Sequence, residues 1–122
     1  MRLPAMRTAL AMLAGLLGLV HLALTPLAYP EWTIDALWFI GTGMAMVVAA
    51  AANVIADKAP GLGVRMSLAA INIAMSGFFA AAWLVLPGLQ VIIGGLLFGC
   101  LALSSIRDRA STNAPRNRSA QR

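Results

Sequence analysis

Four long apolar runs, separated by short stretches rich in proline, glycine or acidic residues, constrain this chain more than any other feature. They cover about residues 8–27, 33–56, 64–86 and 89–106. Each run is long enough for a helix to cross the ~30 Å hydrocarbon core of a bilayer. Hydrophobic residues make up 61% of the 122 residues and charged residues 11%, and a soluble domain of this size could not bury so much apolar surface.

None of these runs alternates between polar and apolar residues with period two, as the strands of a membrane β-barrel do. Helices are then the remaining possibility, because only helices and closed barrels satisfy the backbone hydrogen bonds in hydrocarbon. We therefore predict an all-α integral membrane protein, with a four-helix transmembrane bundle over residues 1–106. Residues 107–122 are polar and rich in arginine, and we expect them to form a disordered basic cytoplasmic tail.

The first run could also be a secretory signal peptide, because Arg2 and Arg7 precede it. Its length of about 20 residues exceeds a signal-peptide apolar region of roughly 7–15, so we expect it to be retained as a helix. Pro26 and Pro30 are expected to end this helix. Thr33 can cap the second helix, and Asp35 would then lie in its first turn, at the positive end of the helix dipole.

The distribution of positive charge predicts which ends of the helices lie together. The nine Lys and Arg residues are Arg2, Arg7, Lys58, Arg65, Arg107, Arg109, Arg116, Arg118 and Arg122. They precede the first run, separate the second from the third, and follow the fourth, so four spans place them all on one side. The positive-inside rule makes that side cytoplasmic and both termini cytoplasmic, in what we expect to be a bacterial inner membrane.

The opposite side collects aromatic residues, as membrane interfaces commonly do. These residues are Tyr29, Trp32, Trp38 and Trp83. On the basic side, we expect the arginine-rich tail to contact anionic lipid headgroups, which contributes about 1 kcal/mol per arginine. The net charge of +5 does not indicate nucleic-acid binding, because no aromatic or base-reading motif accompanies it.

Small and polar residues predict how the helices pack. Lipid tails are as apolar as leucine, so membrane helices associate through close backbone contact and interhelical hydrogen bonds. Gly95 and Gly99 form a GxxxG motif in the fourth run. Asn53 and Asn72 are the most deeply placed amides and are expected to hydrogen-bond between helices, with Ser76 nearby; whether they pair directly is left open. Small residues also recur in the third run, at Ser67, Ala70, Ala74, Gly77 and Ala81.

His21, the single histidine, lies one to two turns from the end of the first run. Asp35, Trp38 and Thr42 share one face of the second helix by their spacing. If that face meets the first helix, His21 lies level with Trp38. An ionisable residue within the membrane is a functional hypothesis by default, and Asp35, or alternatively Glu31, is the expected partner in a proton-sensitive or ligand-binding site.

We favour a plainer interpretation of this group. His21 could hydrogen-bond Thr25, a backbone carbonyl or interfacial water, and Asp35 could serve only as a first-turn acid. No metal or cofactor is expected, because one histidine cannot provide two imidazole ligands. Met44 and Met46 point to nearly opposite helix faces. Cys100 is alone and cannot form an internal disulfide.

The function predicted from these patterns is coarse. No nucleotide-binding loop or hydrolase motif occurs in the chain, so an enzyme is not expected. The leading hypothesis is a small polytopic inner-membrane protein that acts as an accessory or interaction subunit or forms a homo-oligomer. The alternative is a small transporter or ligand-binding membrane protein, with a periplasm-side pocket around His21, Asp35, Trp38 and Thr42.

Overall fold

The computed structural model describes residues 3–56, 58–59 and 61–112, with side chains described for 5–56, 58–59 and 61–106. The described chain forms four helices and no strand. They are α1 (Leu3–Ala28), α2 (Ile34–Ala56), α3 (Leu62–Val85) and α4 (Leu89–Thr112). Each contains a segment long and apolar enough to cross a membrane. The prediction of a four-helix transmembrane bundle is confirmed.

Several helix ends differ from the predicted ones, and α1 begins at Leu3, five residues before the predicted run. α1 continues through Pro26 to Ala28, although the proline ring removes one backbone donor. The Tyr29 amide still bonds to the Thr25 carbonyl at 2.9 Å, which closes the last turn. α4 continues beyond Ile106 to Thr112, so the first residues of the predicted tail are helical. Residues 113–122 of that tail lie outside the described residues.

Thr33 caps α2 as its position before the helix predicts. Its Oγ1 accepts a hydrogen bond from the Ala36 amide at 3.1 Å, which satisfies one of the free donors of the first turn. Asp35 lies in that turn, where the helix dipole favours a negative charge. Local residues therefore fix the start of α2, directly after the connection that carries Pro30.

Consecutive helices pair as two tight antiparallel hairpins, α1–α2 and α3–α4. In the first, Gly18 and Gly43 bring the backbones together: a Cβ added at Gly18 would lie 2.9 Å from the Gly43 carbonyl oxygen. In the second, the Phe79 ring covers Gly94, where an added Cβ would lie only 2.4 Å from ring carbons. Phe79 also stacks on Phe98, with ring centroids 5.9 Å apart.

The two hairpins meet in a core of small and aromatic side chains. The buried members are Ala11, Ala14, Met46, Ala49, Ala50, Phe79, Val91, Phe98 and Leu101. The α1 alanines are fully buried in the same cluster as Phe98 and Leu101 of α4, and their small side chains let α1 and α4 approach closely there. Close packing of these side chains therefore holds the two hairpins together at this core. A difference in polarity from the surrounding lipid does not, because lipid tails are equally apolar.

A buried polar layer joins three of the helices. Asn53 Nδ2 donates to Asn72 Oδ1 at 2.8 Å, and Asn72 Nδ2 donates back to Asn53 Oδ1 at 3.0 Å. Asn72 Nδ2 also lies 3.5 Å from Ser105 Oγ on α4. Both amides are fully buried. The sequence left this pairing open because the two residues lie at different distances from their helix ends, and a stagger of about 10 Å between those ends brings them level.

We expect replacement of Asn72 by alanine to destabilise the bundle by about 1–3 kcal/mol, because the buried Asn53 Oδ1 then loses its donor. Asn53 Nδ2 would keep the bond that it donates to the Ala49 carbonyl at 2.8 Å. The double variant Asn53→Leu/Asn72→Leu leaves no unpaired side-chain amide, and we expect it to lose much less stability. Unfolding by SDS in mixed micelles, followed by circular dichroism, measures both. Ser67→Ala, at an exposed position of the same helix, is the control and should change stability by less than about 0.5 kcal/mol. Equal losses for Asn72→Ala and Ser67→Ala would contradict the prediction.

Antiparallel packing separates charge from aromatic residues along the bundle. Arg7 on α1, Lys58 after α2 and Arg65 on α3 lie at one end, together with residues 107–112 of α4. We call this the basic end. The opposite end, which we call the aromatic end, carries the α1–α2 and α3–α4 connections and the tryptophans at 32, 38 and 83.

Candidate functional site

The candidate site predicted from the sequence lies at the aromatic end of the α1–α2 hairpin. There the His21 ring stacks on Phe39 of α2, with ring centroids 3.6 Å apart and planes 17° from parallel. Thr25 is buried and donates its hydroxyl to the His21 backbone carbonyl at 3.1 Å. The direct partner of the imidazole across the helix interface is therefore an aromatic ring.

Tyr29 completes this group from the end of α1. Its ring lies 5.4 Å from Phe39, tilted by 57°, so Phe39 contacts both aromatic residues of the α1 side. We call His21, Tyr29 and Phe39 the aromatic cluster. Beside it is a shallow, open depression lined by Ala28, Tyr29, Pro30, Glu31 and Thr33. The cluster is a packed contact between two helices, and this depression lies along its outer edge.

Within the described part of the chain, none of the other predicted site residues stacks on His21 or hydrogen-bonds to it. Asp35 and Glu31 are exposed, and Trp38 is 70% exposed. Thr42 donates its hydroxyl to the Trp38 carbonyl at 2.9 Å, which is a contact within α2. Among the described side chains, neither carboxylate forms an ion pair with His21.

The difference is a rotation of α2 by about one residue relative to the predicted face, which carries Asp35, Trp38 and Thr42. The face that meets α1 carries Ala36, Phe39 and Gly43, at helical spacing. Gly43 determines it, because its missing side chain is what allows Leu22 of α1 to approach: a Cβ there would lie 2.8 Å from the Leu22 side chain. A glycine on each helix, Gly18 and Gly43, is the pattern that could have located this face.

We expect His21 and Phe39 to be energetically coupled. A double-mutant cycle with His21→Ala and Phe39→Ala should give a coupling free energy of about 0.5–1.5 kcal/mol, as for other stacked aromatic pairs. The matched cycle with His21→Ala and Asp35→Ala should be additive within about 0.5 kcal/mol. SDS unfolding of the variants measures both. Coupling to Asp35 in place of Phe39 would contradict this geometry.

The predicted packing residues occupy different environments. Ser76 donates its hydroxyl to the Asn72 carbonyl at 2.8 Å, beside the polar layer. A Cβ added at Gly95 would lie 3.5 Å from the Phe79 Cβ, within the bundle, whereas one added at Gly99 meets nothing within 4 Å. The two glycines of the GxxxG motif therefore do not act together inside this chain, and Gly94 is the glycine that α3 contacts most closely.

A second candidate site is the face of α3 directed away from the bundle. Its floor is a row of five small residues, all exposed: Ser67, Ala70, Ala74, Gly77 and Ala81. Large exposed side chains flank it, with Ile71, Phe78 and Val85 on one side and Met66, Ile73 and Leu84 on the other. A Cβ added at Gly77 meets nothing within 4 Å. We call this feature the α3 groove.

Within the described residues, no group of three or more His, Cys, Asp or Glu side chains could hold a metal ion. Fold and composition define a multi-pass membrane protein made of four spanning helices. No family model, curated protein or solved structure matches the chain.

Proposed function

We propose that this protein is a small polytopic inner-membrane protein that functions by association, as an oligomer or as an accessory subunit of a larger membrane complex. The observation that carries the proposal is the α3 groove. Every one of its five floor residues is exposed, although small residues in membrane helices are enriched where another helix packs.

The shape of the α3 groove supports helix packing. A floor without large side chains lets a second backbone approach closely, and this approach provides the dispersion contacts that hold membrane helices together. The flanking rows, which include Phe78 and Ile73, would then contact the sides of the incoming helix. Inside the chain, the same principle operates where Gly18 meets Gly43, so this bundle already uses small residues for close contact.

The alternative function, ligand binding or transport at the aromatic end, has less support. His21 stacks on Phe39, whereas Asp35 and Trp38 are exposed and make no described contact with it. The depression beside Tyr29 is shallow and open. A ligand pocket is expected to be concave and largely enclosed, which the aromatic cluster is not.

Sidedness is part of the proposal. The basic end would face the cytoplasm of a bacterial cell, with both termini on that side, because Lys58 and Arg65 lie there and the two connections at the aromatic end contain no Lys or Arg. The arginines of residues 107–122 would contact anionic headgroups. Reporter fusions at Lys58 and at Gly88 test this orientation. The reporter at Lys58 should lie in the cytoplasm and the reporter at Gly88 on the opposite side of the membrane.

Cysteine crosslinking tests the association. In a Cys100→Ala background, single cysteines replace Ala70, Ala74 or Ala81 on the groove floor, and Ala80 serves as the exposed control on a neighbouring face of α3. After reconstitution at low protein density and mild oxidation, the floor positions should form dimers several-fold more than the control. Equal crosslinking at all four positions would contradict a specific contact through this groove.

A further inference from the structure

The depression at the aromatic end is formed by the connection between α1 and α2. It is lined by Ala28, Tyr29, Pro30, Glu31 and Thr33. Its volume of about 300 Å³ lies at the small end of the range for ligand sites. These five residues include a single charge, that of Glu31. The chemistry available in the depression is therefore that of a carboxylate close to an aromatic phenol.

The residues around the depression are held in place by contacts within the α1–α2 hairpin. On one side, the Tyr29 ring packs against Phe39, with ring centroids 5.4 Å apart. On the other side, Thr33 Oγ1 accepts a hydrogen bond from the Ala36 amide. The ring of Pro30 restricts the backbone between them. A site whose walls are fixed before binding loses little conformational entropy when a ligand enters.

Glu31 has no counter-ion among the described residues. It is exposed and forms no hydrogen bond or ion pair with any described side chain. The sequence contains no Lys or Arg between Arg7 and Lys58, or between Arg65 and Arg107. The helix between Arg7 and this connection is about 30 Å long, which is several times the screening length in physiological salt. The charge of Glu31 is therefore available to a cation from outside the described part of the chain.

Asp35, the other carboxylate at the aromatic end, has a different environment. It lies in the first turn of α2, where the helix dipole stabilises its charge. It is not one of the residues that line the depression. Glu31 precedes the helix and lines the depression. The two exposed carboxylates therefore form a matched pair for experiment, because one belongs to the depression and the other does not.

The position of the connection in the bilayer indicates where the cation comes from. Trp32 is 84% exposed and Trp38 is 70% exposed, and tryptophan side chains of membrane proteins are enriched at the level of the lipid headgroups. A headgroup that enters the depression stays attached to its acyl chains, so its site has to be open toward the membrane surface. The open shape is unfavourable for enclosing a free small molecule, but it suits a headgroup.

We propose that the depression binds a primary ammonium group, either of an ethanolamine lipid headgroup or of a free amine, with Glu31 as its counter-ion and Tyr29 beside it. An ammonium group has three N–H donors for the two oxygens of the carboxylate, and hydrogen bonds between charged groups are the strong ones. An aromatic ring near the carboxylate also attracts a cation through its quadrupole. This site is separate from the α3 groove and does not depend on association through it.

Native mass spectrometry of the full chain tests the site. The protein is placed in micelles that contain equal amounts of phosphatidylethanolamine and phosphatidylcholine with identical acyl chains, and the bound molecules of each lipid are counted. Choline carries the same charge as ethanolamine but has no N–H donor. We expect the wild type to retain the ethanolamine lipid about twofold to tenfold more than the choline lipid, as for one net hydrogen bond. Glu31→Gln should remove this preference, whereas Asp35→Asn should keep it.

Glycerophosphoethanolamine, which has the same headgroup without acyl chains, separates the two sources of the ammonium group. If it displaces the ethanolamine lipid, a free amine is sufficient as the ligand; if it does not, the ligand is the lipid. Equal retention of both lipids by the wild type, or a preference that survives Glu31→Gln, would overturn the proposal. A preference lost in Asp35→Asn but kept in Glu31→Gln would overturn the assignment to the depression. SDS unfolding should show that both variants keep their stability within about 1 kcal/mol.

Discussion

Replacing Gly18 by leucine is expected to separate α1 from α2 and to destabilise the protein by about 3 kcal/mol or more. Even a Cβ at this position would lie 2.9 Å from the Gly43 carbonyl oxygen and 2.9 Å from the Met46 Cβ. A backbone carbonyl cannot rotate away as the end of a flexible side chain can. The helices must therefore move apart, and the dispersion contacts along the hairpin are lost.

The matched control for this experiment is Gly41→Leu. Gly41 lies on the same hairpin as Gly43, but a Cβ added there meets nothing within 4 Å, so leucine should be tolerated and should even improve helix propensity. SDS unfolding in mixed micelles, followed by circular dichroism, compares the two variants with the wild type. Similar stability for Gly18→Leu and Gly41→Leu would show that the close contact of α1 and α2 does not support the fold.

The number and nature of the helices could be predicted from the sequence because lipid imposes a simple requirement. A run such as residues 33–56 must satisfy its backbone internally, and a helix is the conformation that does so within one segment. Local chemistry also placed Thr33 at the start of α2, where its Oγ1 receives the Ala36 amide. These features depend on one segment at a time, and periodicity or capping residues reveal them.

Helix rotation and stagger could not be predicted in the same way, because they depend on two segments at once. Nearly every side of α2 is apolar, so hydrophobic periodicity does not tell which side faces α1. Depth in the membrane predicts Trp38 as the neighbour of His21, but the close contact at Gly43 places Phe39 against His21 instead. The pairing of Asn53 with Asn72 likewise requires the stagger of α2 against α3, which tertiary packing sets.

The small residues also show that spacing in the sequence does not predict which helix faces are in contact. Gly95 and Gly99 match a motif for helix association, yet only Gly95 lies close to another helix of this chain. The row that includes Ala74 and Gly77 is just as visible in the sequence, and its residues face outward. Sequence spacing reveals a small face, but whether that face is used inside the bundle or left for a partner is a property of the packed structure.

Replacing Gly77 by leucine is expected to weaken association of the protein in membranes by about tenfold to hundredfold, which corresponds to about 1–3 kcal/mol. The leucine side chain would fill the floor of the α3 groove and hold an incoming helix away from the backbone. The fold itself should be unaffected, because a Cβ at Gly77 meets nothing within 4 Å in this chain. Energy transfer between labelled copies in liposomes, measured over a range of protein-to-lipid ratios, gives the association constant.

Gly99→Leu on α4 is the matched control, since Gly99 is also free of neighbours within 4 Å but lies on a different helix. Its association constant should equal that of the wild type, and SDS unfolding should show that both variants keep their stability. A result in which Gly99→Leu dissociates the protein while Gly77→Leu does not would move the association face from α3 to α4. If neither substitution changes the association constant, small-residue packing does not bring copies of this protein together. The α3 groove would then be covered by lipid.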